Sequence, residues 1–209
     1  MGYGVVCISH HDGAAGAEAS RLVAHALGFR LIDEDIVARA ATEAGVEQDV
    51  VADVEQRKSI LSKLLEGLGP AGMATSGMVL PEEASYGLHS SGDLRGLIKS
   101  VIEETATAGR VVIVAHAASL ALAGRTDVLR VLITAPPKTR RRRLAASLQI
   151  DDHESARTVK RGDAARADYI KRFYGIDSEQ PTHYDLVINT ERLTPDDAAR
   201  LIAAAATGS

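Results

Sequence analysis

Apolar positions along this chain gather in short continuous blocks instead of alternating with polar ones. Tyr3 to Ile8, Val111 to Ala115 and Val128 to Ala135 are such blocks, each rich in β-branched residues. Asp185-Leu186-Val187-Ile188-Asn189 adds another near the C-terminus, and Leu31-Ile32 a shorter one. A strand that is apolar at every position has both faces covered, the condition of strands in a parallel sheet. Helical patterns separate the blocks. The last of them opens with Thr194-Pro195-Asp196-Asp197: an N-cap hydroxyl, a proline at the first helical position and acids in the first turn. Strands alternating with helices predict right-handed βαβ crossovers and an α/β fold, a parallel sheet in a three-layer arrangement.

Two segments break the alternation. Residues 36–92 begin as helix, with Ile60, Leu61, Leu64, Leu65 and Leu68 at helical spacing, and become loop-like from Gly67 to Gly77. The stripe from Ile60 to Leu68 is either core or the surface of a homodimer. Residues 151–181 are rich in Arg and Asp and poor in apolar side chains, and read as a charged helical flap outside the core. At 209 residues, one domain accommodates all of this: a core of about 1–35, 93–150 and 182–209, an insertion of about 36–92 and a lid of about 151–181.

Candidate chemistry gathers where the first strand ends. Val5 to Ser9 runs into His10-His11-Asp12-Gly13-Ala14-Ala15-Gly16-Ala17-Glu18 and then a helix. In such a turn the pattern G-x-x-x-x-G-K-[ST] wraps backbone N–H groups around phosphate oxygens, with Lys on the outer phosphates and a hydroxyl on Mg²⁺. Here Gly16 closes the turn, His11 stands at the first glycine position, Ala17 at the lysine position and Glu18 at the hydroxyl position. The backbone of Asp12, Gly13, Ala14, Ala15, Gly16 and Ala17 remains a candidate phosphate cradle, because a helix N-terminus favours anions without a lysine. The plainer alternative is a turn that needs its glycines for geometry alone. Ser9 is either a phosphate-facing hydroxyl or a local cap.

Asp33 is either the N-cap of a helix from Glu34 to Ala41 or an acid that aligns an acceptor or metal-bound water, and the roles are compatible. In Arg140-Arg141-Arg142-Arg143, consecutive helical residues point to all sides, so they form no single nucleic-acid stripe. Arg157 and Arg161 in the flap are one i,i+4 step apart. An arginine lid over phosphates would stabilise transferred charge and exclude water, whereas the alternative is a solvated helix laced with Asp–Arg pairs.

Composition narrows the classes. With 24 Lys and Arg against 28 Asp and Glu, the near balance argues against general nucleic-acid affinity. Aromatics at 3 % and no Trp argue against a base-stacking platform. No apolar stretch reaches the roughly 18 residues of a membrane span, and no signal segment opens the chain. Cys7, mid-strand, reads as a small buried hydrophobe. His10-His11-Asp12 lie too close in sequence to converge on one ion, so no metal is expected on protein side chains there. A cytoplasmic protein with a small-molecule partner is the expectation.

Several of these segments, in this order, resemble the cytidylate kinase-like proteins, P-loop relatives of bacterial cytidylate kinase. Gly13-Ala14-Ala15-Gly16-Ala17-Glu18 stands where the family has Gly-Ser-Gly-Gly-Arg-Glu. Leu27-Gly28-Phe29-Arg30-Leu31-Ile32-Asp33-Glu34-Asp35-Ile36, Leu132-Ile133-Thr134-Ala135-Pro136, Asp163-Ala164-Ala165-Arg166-Ala167-Asp168-Tyr169 and Tyr184-Asp185-Leu186-Val187-Ile188-Asn189-Thr190 match further family segments. The resemblance implies a P-loop NTPase-like fold with a helical insertion like those that bind nucleoside monophosphates and a charged lid. It implies phosphorylation of a nucleoside monophosphate or similar small phosphorylated acceptor, with ATP and Mg²⁺ as cofactors. Asp163 and Arg166 match the family's acceptor-holding Asp-x-x-Arg pair, and Arg95 matches an acceptor arginine by its spacing. The resemblance also implies that Arg140 or Arg143 faces the nucleotide as a donor-side arginine, with the others of the run solvated. His116 stands where the family has the arginine of a Gly-Arg pair, and Ala17 where it has an arginine in place of the Walker lysine. Those two departures leave an alternative open: a catalytically inactive nucleotide-binding or regulatory protein that keeps the kinase fold.

Overall fold

The computed structural model of the chain describes residues 2–32, 99, 102–115 and 118–208. Asp33, Arg95 and His116, and the insertion with its stripe from Ile60 to Leu68, lie outside the described residues. Every expected strand forms. Val5–His10 (β1), Arg30–Ile32 (β2), Val111–Val114 (β3), Val128–Thr134 (β4) and Leu186–Asn189 (β5) make one sheet in the order β2-β3-β1-β4-β5, with all neighbours parallel.

The continuous apolar blocks follow from that position. In β1, Val6 and Ile8 pack with Ala19 and Val23 of helix α1 (Gly16–Leu27) and with Ala198 and Ile202 of the C-terminal helix Pro195–Thr207. Val5 and Cys7, on the opposite face, pack with Ile102, Ala106 and Leu122. Both faces are dry, so both alternations of the strand are apolar. Each fully buried Val or Ile contributes about 1.5–3 kcal/mol of transfer free energy. Cys7 belongs to this core: burial pushes its thiol up to about 12.

Further helices among the described residues include α2 (Ala118–Ala121), α3 (Pro137–Leu148) and α4 (Asp152–Tyr174), with α5 (Pro195–Thr207) last. Helix α5 starts as its sequence predicts. Thr194 and Asp197 form a reciprocal capping box, and Pro195 occupies the first turn. Strand β1 is central; the chain passes from it to the edge strand β2, fills in β3 between them, and then crosses to the other side for β4 and β5. In open α/β sheets that reversal leaves a crevice at the C-terminal ends of the strands. The turn after β1 opens into it.

The flap departs from expectation. It is one 23-residue helix, α4, N-capped by Asp151, and it buries Ser155, Val159, Arg166, Ile170 and Phe173. Its charge concealed a seam of apolar residues at helical spacing, so the segment is packed structure and not a solvated appendage. Among the described residues, no helix is long and apolar enough to cross a membrane.

Candidate functional site

The turn from His11 to Ala15 is shaped by backbone. Gly13 has φ +75°, and a Cβ there would come within 2.5 Å of the Arg140 carbonyl oxygen, so glycine is required twice over. Ala15 adopts φ 60°, ψ 24°, a left-handed conformation uncommon for alanine, and serves as N-cap of α1 without any side-chain hydrogen bond. Left-handed Gly13 and Ala15, on either side of Ala14 and ahead of a helix with no side-chain cap, give a concave set of N–H donors, the geometry that cradles anions. Gly16 has no room for a side chain because His10 lies against it. Ala17 and Glu18 are exposed, so Glu18 sits outside the buried turn.

Behind the turn, Thr190 at the end of β5 is fully buried and donates its hydroxyl to the Ala14 carbonyl at 2.8 Å. Arg143 clamps the same point, donating through Nη2 to the Thr190 carbonyl at 2.6 Å and through Nη1 to its hydroxyl at 3.1 Å. Arg140, one turn earlier on α3, points elsewhere. It is 3 % exposed and forks onto Asp163 at 2.8 and 2.5 Å. Both arginines are thus taken up by protein groups, whereas Arg142 is exposed. Ser9 donates to the Ala115 carbonyl at 3.0 Å, across to the residue after β3 and not to a neighbour in its own turn.

Above the turn lies α4. The Asp12 carboxylate rests against Gly162, where a side chain would collide with it. One turn further, Arg166 is 5 % exposed and donates from Nε and Nη2 to Glu179 at 2.8 and 2.5 Å. Arg166 Nη2 also donates to the Tyr184 hydroxyl at 3.1 Å, and that hydroxyl donates to Glu179. A cavity of about 200 Å³ between turn and helix is lined by His11, Asp163, Arg166, Ile170, Ile176 and Glu179 among others. Arg157 and Arg161, also on α4, are exposed and form no ion pair among the described residues.

Electrostatics are set by this enclosure. Burial, then the Arg166 and Arg140 guanidinia, lower the His11 pKa from 6.5, while Asp163 and Glu179 oppose them, so the imidazole is neutral at pH 7. Burial pushes the Glu179 carboxyl up, but the hydrogen bonds and charge of Arg166 outweigh it and hold the group below 4.5. Burial, then the Glu179 contact, raises the Tyr184 phenol to about 12, so it stays a donor. Among the described residues, His11 Nδ1 and Arg166 Nη1 are buried and find no hydrogen-bond partner. Asp163 and Arg166 line the same cavity as His11 of the turn. Glu179, Tyr184, Thr190 and the inward His11 were not anticipated. No periodicity links a loop carboxylate to a helix arginine 13 residues earlier.

The model of the cytidylate kinase-like family matches residues 5–192. The chain belongs to the cytidylate kinase-like family. A cytidylate kinase of Ignicoccus hospitalis is 27 % identical over 192 residues, covering 92 % of each chain. One of Methanopyrus kandleri is 28 % identical over 110 residues, 49 % of this chain and 57 % of that protein. One of Sulfolobus acidocaldarius is 32 % identical over 74 residues, 35 % of this chain and 41 % of that protein. Among solved structures, an uncharacterized protein from Eubacterium ventriosum superposes with TM-score 0.62 at 14 % identity, covering 95 % and 94 % of the two chains. Shikimate kinase from Bacteroides thetaiotaomicron superposes with TM-score 0.51 at 13 % identity, covering 95 % of both. The fold is that of P-loop kinases, and the family supports a nucleotide kinase-like function.

Proposed function

We propose that the protein transfers a phosphoryl group from ATP, with Mg²⁺, to a nucleoside monophosphate or a similar small phosphorylated acceptor. The observation that carries this reading is the turn itself: left-handed Gly13 and Ala15 set before an α1 that no side chain caps, at the reversal point of the sheet. A turn needed only to reverse the chain would have no reason to strain Ala15 and leave donors uncapped. Backbone N–H groups of residues 13–17 would hold the donor phosphates, and Mg²⁺-ATP supplies the γ-phosphoryl group when bound. Asp163 and Arg166, with Arg95 and His116, hold the acceptor in this reading, beside the cavity that His11 lines. Arg157 and Arg161 of the lid cover the transferring group, and Asp33 aligns the acceptor or a metal-bound water.

One observation favours a second reading, a nucleotide-binding or regulatory protein without transfer. The lysine position is an exposed alanine, Ala17, and the two most buried arginines at the site already hold carboxylates. Calorimetric titration with Mg²⁺-ATP, followed by transfer assays with CMP, dCMP and UMP, separates the two. Transfer to any acceptor removes the second reading, binding without transfer supports it, and no binding removes both.

A further inference from the structure

Arg166 faces the cavity with its guanidinium already taken. Glu179 grips Nε and Nη2 in the two-point geometry that a phosphate group also offers an arginine. Among the described residues, the third nitrogen, Nη1, is buried without a partner, and so is His11 Nδ1 across the same cavity. At about 200 Å³ the space is several times the roughly 30 Å³ share of one water, so the Arg166–Glu179 pair borders room for a ligand. Glu179 sits on the connection between the left-handed Gly175, φ +67°, and Pro181. Its carboxylate is held by Arg166 and Tyr184, while its neighbours Asp177, Ser178 and Gln180 are exposed. A swing of this short connection would release the carboxylate to water without disturbing the sheet.

We propose that Glu179 is a built-in competitor for the acceptor: its carboxylate fills Arg166 in the empty protein, and the acceptor's phosphate must displace it to bind beside His11. This rests on the acceptor role given to Arg166 above. The exchange favours phosphate because a dianion carries more charge than Glu179 and has a third oxygen for Nη1, which the carboxylate leaves unfilled. A neutral nucleoside offers Arg166 no anion and takes no part in the exchange, so its binding is indifferent to Glu179. Asp163 stays on Arg140 throughout.

The test compares wild type with Glu179→Gln by calorimetry, using CMP, cytidine and inorganic phosphate as separate probes. Apparent affinity falls by the fraction of molecules whose site is open, so Glu179→Gln is expected to tighten CMP binding about tenfold and leave cytidine unchanged. A merely structural carboxylate predicts the reverse, weaker or unchanged CMP binding in a less stable protein. Equal CMP affinity in the two proteins overturns the proposal and leaves the acceptor reading standing. Tighter inorganic phosphate in Glu179→Gln without any CMP binding supports the competitor and overturns the acceptor reading. No binding of any probe overturns both. A second measurement needs no variant. In ¹³C-Glu-labelled wild type saturated with CMP, the Glu179 carboxylate should lose its depressed pKa and titrate near 4.5. An unmoved pKa in the complex overturns the proposal.

Discussion

The turn after β1 and the helix α4 above it border the same cavity, yet they manage charge by opposite means. Apart from Asp12, whose carboxylate rests against Gly162 of α4, the turn is made of neutral residues, and its anion-binding capacity resides in backbone donors fixed by Gly13, Ala15 and the Thr190–Arg143 clamp. Helix α4 contributes ionised side chains, but each inward one is matched: Asp163 with Arg140, Arg166 with Glu179. A backbone donor costs nothing to keep ready, because its orientation is set by the fold. A buried guanidinium must be compensated when empty, since an unpaired charge in that position is penalised far more than a paired one. The floor of the site is therefore pre-formed and the roof is self-occupied.

Removing one half of a roof pair is the most severe way to break this contrast. Arg166→Leu leaves the Glu179 carboxylate, 16 % exposed, with only Tyr184 beside it. Destabilisation of about 3–5 kcal/mol is expected in urea titrations. A loss under about 1 kcal/mol would mean that Glu179 relaxes freely to solvent and that the roof is not self-compensated. On the floor, Ala17→Lys adds the missing cation at an exposed position whose folding energetics it should not disturb. A charge-assisted contact predicts roughly tenfold tighter Mg²⁺-ATP, about 1.5 kcal/mol. Unchanged affinity would show that the turn does not approach phosphate. Thr190→Val tests the clamp: the Ala14 carbonyl and Arg143 lose a buried partner, for about 1–2 kcal/mol of stability, together with weaker nucleotide binding. Stability lost with nucleotide affinity intact would separate the clamp from the shape of the turn.

The same contrast divides what the sequence discloses from what it hides. The strands are legible because β1, β3 and β4 are buried on both faces, so residues such as Val5, Val6, Cys7 and Ile8 are apolar without interruption. The turn is legible because Gly13 and Gly16 sit at fixed offsets from a strand end. The family resemblance singles out Arg140 and Arg143 but not their different partners, because i,i+3 neighbours here diverge to α4 and β5. The buried seam of α4 was masked by its charges: Arg166 lies in line with Val159, Ile170 and Phe173, and composition counts it as surface. The Glu179–Tyr184 end of the roof left no local signal, since the pairing is made across a loop return and only the fold brings it about.

His11 stands at the junction of floor and roof, and its titration gives the smallest effect and the finest discrimination. Burial and the two guanidinia depress its pKa below 6.5, so the folded protein keeps the imidazole neutral while the unfolded chain takes up a proton first as pH falls. The stability it contributes is complete above pH 6.5 and is lost as the pH drops from there through the folded-state pKa. Glu179 has the same sign in a lower window, its contribution complete above 4.5 and lost in stronger acid. His11→Gln should therefore flatten the stability profile just below pH 6.5 and leave the acid limb, whereas Glu179→Gln should flatten only the acid limb. Urea midpoints measured from pH 7.5 to pH 3 read both limbs in one series. A profile in which His11→Gln changes neither limb would place the imidazole in solvent, away from Arg140 and Arg166, and the cavity would then lose its neutral wall.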